Sequence, residues 1–156
     1  MVKRTSLDGD DCPIARSLDA IGDWWSMLII RDALLGRRRF GEFQKSLGLA
    51  KNILAARLRM LVDEGILAHA PASDGSAYQE YVLTDKGRGI FPILVALRQW
   101  SEEFDDHPES IATILVDRTS GRPVRKLELR AQDGRLLDMT DTALKLRPAT
   151  KRRRAG

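Results

Sequence analysis

Of the four glycines in the stretch from Trp24 to Leu67, those at 36, 48 and 65 separate its segments of apolar periodicity. Glycine enters the left-handed conformation that ends a helix without steric cost, so each is a natural stop. This restricts the stretch to short helices joined by tight turns. The first, WWSMLIIRDALLG, is apolar almost all round, which marks a helix at the centre of a core. FGEFQKSLG places Phe40, Phe43 and Leu47 at helical spacing. In AKNILAARLRMLVDEG, a wheel at about 100° per residue gathers Leu54, Leu58, Leu61 and Val62 on one face. Asn52, Ala56, Arg59 and Asp63 fall opposite, with Ala55 on their shoulder. Arg57 falls beside the apolar seam, which predicts a structural ion pair with a carboxylate of a neighbouring helix rather than an outward contact.

Upstream, Pro13 suits the first position of a short helix, CPIARSLDAIGD, with Ile14, Leu18 and Ile21 as its apolar stripe. Asp23 is placed to cap the helix that follows. Downstream, ILAHA and EYVLT read as strands joined by PASDGSAYQ, whose Asp74-Gly75 pair signals a hairpin turn. Thr84 then caps a long helix over 85–106, carrying Ile90, Ile93, Leu94, Leu97, Trp100 and Phe104. Pro92 within it predicts a kink or an interrupted start. From 111 the period changes, and ATILVDR, KLELR and RLLDM read as short strands with turns at Ser120-Gly121 and Asp133-Gly134. The resulting organisation is a flexible N-terminus (1–11), a mainly helical body (12–106), a small β-rich appendage (107–147) and a disordered basic tail (148–156).

Charge separates along the chain. The 156 residues carry a formal net charge of +4, but residues 145–156 alone hold six basic residues and no acidic one. The remainder counts 20 basic against 22 acidic residues. Within it, residues 31–59 have a net charge of +6, while 60–115 hold three basic and ten acidic residues. A polarised body of this kind points to nucleic acid more strongly than an overall basic balance does.

Other classes are disfavoured. No apolar run approaches the roughly 18 residues of a membrane span, and the N-terminus lacks the apolar segment of a secretory signal, so a cytoplasmic location is expected. One cysteine and two histidines provide neither an internal disulfide nor a Cys/His zinc site, and no metal or cofactor is expected. His69 and His107 have no partners placed for catalysis, so no enzyme is expected.

Three helices, a hairpin and a further helix form the order of a winged helix-turn-helix, an α+β fold in which the second helix of the motif enters the major groove of double-stranded DNA. Lys51, Asn52 and Arg59 are then the leading contact residues, with Ala55 and Ala56 close to the groove. Arg37, Arg38 and Arg39 are candidates for phosphate contacts, with one of the three in a structural pair. Trp24, Trp25, Trp100 and Phe104 are read as core rather than as the lining of an effector pocket.

The blocks CPIARSLDAIGDWW, LIIRDALLGRRRFGEFQKSL, LAARLRMLVDEGIL and YVLTDKGR resemble the HxlR-type winged-helix transcription regulators, relatives of the MarR group. The resemblance covers about residues 12–105. It implies a homodimer formed through the terminal helices, here Ile14, Leu18, Ile93, Leu97, Trp100 and Phe104, and an inverted-repeat operator. It also implies a repressor responsive to a small-molecule or thiol-reactive effector, with Cys12 at the position of a sensor thiol. The helix start and Arg16 favour a thiolate at Cys12, whereas Asp10 and Asp11 oppose it. Some features depart from the family pattern. Ala50-Lys51 replaces the hydroxyl cap of the recognition helix, Ala55 replaces a small hydroxyl residue, and the PASDGSA wing carries no Lys or Arg. The appendage resembles a metal ribbon whose ligand positions are here Asp117, Ser120, Arg130 and Asp133, so a metal-free relic is expected. The alternative reading is a winged-helix module that has lost operator binding and docks another protein.

Overall fold

Pro13 opens α1 (Pro13–Ile21) where its missing N–H has no partner to lose. Asp23 starts α2 (Trp24–Leu34) by accepting the Ser26 N–H at 2.9 Å. In α3 (Phe40–Leu47) the Glu42 carboxylate reaches back to the N–H groups of Arg38 and Arg39, at 2.7 and 2.9 Å. Ala50 precedes α4 (Lys51–Asp63) and provides no side-chain cap, the loss expected from its sequence. Gly36, Gly48 and Gly65 all have positive φ, at 96°, 66° and 67°. The computed structural model describes residues 6–7, 9–104, 106–107, 109 and 111–147. The basic tail from 148, and with it Lys151–Arg154, lies outside the described residues, as do residues 1–5 and 8 in the polar N-terminus.

The hairpin consists of β1 (Leu67–Pro71) and β2 (Gln79–Leu83), antiparallel with Leu67 opposite Leu83 and Pro71 opposite Gln79. On its outer edge the Tyr81 N–H donates to the Arg38 carbonyl at 2.7 Å, so the α2–α3 loop adds a strand-like contact to the wing. Thr84 caps a single helical turn, α5 (Asp85–Arg88), by accepting the Gly87 N–H at 3.1 Å. The main helix, α6 (Phe91–Phe104), begins afresh with Pro92 at its second position, where proline costs no hydrogen bond. The expected 85–106 helix is therefore interrupted at its start.

The core joins Ile29 and Ile30 of α2, Phe43 of α3, Leu54, Leu58 and Leu61 of α4, and Ile66 and Leu67 at the wing base. Burying such side chains yields about 1.5–3 kcal/mol each. Trp25 packs against this core, but Trp24, Trp100 and Phe104 are exposed. Their assignment to the core is thus corrected: a core drawn from α2–α4 and the wing base is filled before it reaches them.

The chain divides into two units, Met1–Asp105 and Asp106–Gly156. In the second, turns form at Ser120-Gly121 and Asp133-Gly134, but the flanking segments meet only through single bridges, Val116 with Pro123 and Arg130 with Leu136. The expected strands do not extend into ladders. None of the described residues over 111–147 is buried, so no face is driven to hold a longer register.

Candidate nucleic-acid interface

The α3–Gly48–α4 arrangement turns the two faces of α4 in opposite directions. Leu54, Leu58 and Leu61 are fully buried, while Lys51, Asn52, Ala56 and Arg59 are exposed and Ala55 is half-buried. Among the described residues none forms a hydrogen bond or ion pair with the side chain of Lys51, Asn52 or Arg59. Arg57 instead pairs with Asp23, the carboxylate that also caps α2. The pair ties α4 to the α1–α2 junction.

Five of the eight cations between 31 and 59 are engaged inside the protein. Arg31 donates to the buried Asp32 at 2.9 and 3.1 Å, and Arg37 stands 3.5 Å from the same oxygen. Arg38 lies 3.5 Å from Glu80, and Arg39 reaches both Asp74 at 2.6 Å and Glu80 at 3.5 Å. All three of Arg37, Arg38 and Arg39 therefore face carboxylates, where the sequence reading expected one. The physical reason is that Asp74 and Glu80, distant in sequence, converge on this loop beside the nearby Asp32. Lys45, Lys51 and Arg59 remain without a partner among the described residues. Lys45 was not singled out from the sequence; its composition signal is the same as that of the paired arginines.

The wing carries an acidic tip for the same reason. Asp74 accepts from Arg39 and from the Ser76 N–H, and these hydrogen bonds hold its carboxyl well below the ordinary range. Ser73 donates both its N–H and its hydroxyl to Glu80, at 3.2 and 2.9 Å, which lowers that carboxyl as well. Glu42 is lowered by the N–H groups of Arg38 and Arg39. An open groove of about 700 Å³ separates this α3 end, with Lys45, from Tyr78 and Gln79 of the wing.

Cys12 is exposed immediately before α1, and its N–H donates to Asp10 at 2.8 Å. Ile14 and Leu18 on α1, and Ile93, Leu97, Trp100 and Phe104 on α6, are likewise exposed. At the ribbon-like positions, Ser120 donates to Asp117 at 2.7 Å, and Arg130 bonds Glu128 and the Gly134 carbonyl. These side chains satisfy one another or the backbone, and no set of three or more metal-type ligands occurs among the described residues. No helix of the described residues is long and apolar enough to cross a membrane.

A family profile described as HxlR-like helix-turn-helix matches residues 20–109. The HTH-type transcriptional regulator Rv3095 of Mycobacterium tuberculosis is 39% identical over 108 residues, 69% of this chain and 68% of that protein. The crystal structure of PA1607, a candidate transcription factor, superposes with a TM-score of 0.85 at 58% identity, covering 90% of this chain and 99% of that one. Its coverage extends past residue 109 into the second unit. The redox regulator HypR, in its reduced form, gives a TM-score of 0.54 at 28% identity over 64% of this chain and 99% of its own. These relatives are regulators of transcription and not enzymes.

Proposed function

The chain belongs to the HxlR-like helix-turn-helix family of DNA-binding transcriptional regulators, and on that premise we propose that it is a homodimeric repressor that reads an inverted-repeat operator with α4. The observation that carries this reading is the exposed, unpaired set Lys51, Asn52 and Arg59 on the face opposite a fully buried leucine stripe. Asn and Arg can each make bidentate bonds to base edges, while Ala55 and Ala56 allow close approach. Lys45 and the residual charge of Arg37, Arg38 and Arg39 serve the phosphate backbone. The domains act as a DNA-binding and dimerisation body (12–106), an appendage (107–147) and a basic tail (148–156), in the cytoplasm. Dimerisation draws on the exposed apolar residues of α1 and α6.

A salt-titrated binding assay tests the division of roles. Asn52→Ala and Arg59→Ala should each weaken binding to the upstream operator by about 1–3 kcal/mol more than binding to random DNA. Lys45→Ala and Arg38→Ala should weaken both alike and flatten the salt dependence. Four variants of indistinguishable behaviour would refute the assignment.

The redox character of HypR suggests a test of Cys12, whose exposure gives it the access that a sensor thiol needs. Diamide or a quinone should alter operator binding by the wild type and not by Cys12→Ser. A second reading, a winged-helix module that docks another protein, is favoured by the internal neutralisation of Arg37, Arg38 and Arg39. It predicts no salt-dependent binding to any upstream DNA.

A further inference from the structure

A cavity of about 310 Å³ in the first unit includes no residue of α4 in its lining. It lies between the end of α2 (Ala33, Leu34), the turn from Gly36 to Arg38, strand β2 (Tyr81–Leu83) and Arg88 of α5. Three arginines line it and no carboxylate does.

These arginines retain unused donors. Arg37 Nη1 is 3.5 Å from Asp32 Oδ1, an oxygen already occupied by two shorter bonds from Arg31. Arg38 Nη1 is 3.5 Å from Glu80 Oε2. Charge-assisted hydrogen bonds form at about 2.7–2.9 Å, so both contacts are Coulombic and leave room for a closer acceptor. Arg88 donates to the Leu83 carbonyl at 2.6 Å and to the exposed Asp85. On the strand edge, the Tyr81 N–H is taken by the Arg38 carbonyl. Strand alternation puts the Leu83 N–H on that same edge, and no described residue accepts from it. The other lining residues are Ala33, Leu34, Gly36, Tyr81, Val82 and Leu83. Leu34, Tyr81 and Leu83 lie on the side that packs against the core, and strand alternation turns Val82 to the opposite face.

We propose that this cavity binds a small organic carboxylate, its apolar body resting on Leu34 and Leu83 and its charge met by Arg37, Arg38 and Arg88. The volume lies at the small end of the roughly 300–1,000 Å³ found for ligand sites. A DNA phosphodiester satisfies the arginines but has no apolar body to cover the other side chains, and a duplex backbone is convex where this seat is concave. The occupant competes with Glu80 for Arg38, one of several contacts that join the α2–α3 loop to the wing. The site thereby gives the effector of the proposed repressor a chemistry. It rests on that reading for its consequence and not for its binding, which is measured without DNA.

The test is isothermal titration of the full chain, free of DNA and at low salt, with benzoate, phenylacetate and hexanoate. At least one should bind saturably, while the corresponding uncharged alcohol should not. Arg88→Gln should weaken binding about tenfold, the loss of one charge-assisted hydrogen bond, with an unchanged circular dichroism spectrum. Arg88 is exposed, so this variant folds even if Arg37→Gln, beside the buried Asp32, does not. Inorganic phosphate should bind at least tenfold more weakly than the best carboxylate. The proposal is overturned if none of the three carboxylates binds, if the alcohol matches its carboxylate, or if Arg88→Gln leaves affinity unchanged. Phosphate binding as tightly as the carboxylates also overturns it, since that is the behaviour of a seat for the DNA backbone.

Discussion

Arg57 and Arg59 stand two positions apart on α4 and do different work. Arg57 meets Asp23, while Arg59 faces outward with no partner among the described residues. Asp23 serves both α2 and α4, so its substitutions separate a cap from an ion pair. Asp23→Asn keeps a capping oxygen and should cost less than about 1 kcal/mol, the value of a partly exposed pair. Asp23→Ala removes both and should cost about 1–2 kcal/mol. Urea unfolding of these variants with and without Arg57→Ala checks this; equal costs for Asn and Ala would show that the cap contributes nothing. The outcome for Arg57 was legible from its angle on the wheel. That of Lys45 was not, because whether a cation is paired depends on carboxylates brought near it by folding.

The wing shows the same dependence one level up. Its sequence departs from the family pattern only in having no Lys or Arg, whereas in the fold Asp74 is the anchor of Arg39 and Glu80 is held by Ser73, Arg38 and Arg39. Both carboxyls are lowered in the folded state. Their contribution is therefore present above the unfolded carboxyl range, near pH 4, and is lost as pH falls through the lower folded values. Amide exchange of residues 67–83 should be unaffected by these groups between pH 8 and 5, and protection should drop below about pH 4. Loss of protection already at pH 6 would exclude these carboxylates as the cause. The α5 turn is held to the wing base by close approach. A Cβ on Gly87 would stand 2.2 Å from the Ile66 carbonyl oxygen and 2.9 Å from Leu83 Cδ2. Gly87→Ala should destabilise by about 1–3 kcal/mol in thermal unfolding, even though alanine ordinarily favours a helix.

Across the chain, the exposed stripes of α1 and α6 leave more apolar surface than a single copy covers. Sedimentation equilibrium should give a dimer at micromolar concentration, and Leu97→Glu should yield a folded monomer that has lost operator affinity. A monomeric wild type, with and without DNA, would count against the proposed assembly. The tail's Lys151–Arg154 run holds four basic residues and no apolar one. Truncation at Pro148 should lower operator and random-DNA affinity by similar factors, since a tethered polycation adds attraction without reading bases. A changed sequence preference would assign base contacts to the tail.

The element order of the first unit, its helix stops, the capping roles of Asp23 and Thr84, and the buried face of α4 all followed from residues within a few positions of one another. Glycine conformation, helical periodicity and side-chain capping are local properties, and local sequence is enough to specify them. Which cations remain available, which aromatic residues find the core, and where apolar and basic groups meet around the cavity between α2 and β2 did not follow. Each depends on groups that are far apart in the chain, Arg39 with Asp74, Arg38 with Glu80, Leu34 with Leu83. Coulombic pairing and packing act through space, and folding decides which of these groups become neighbours.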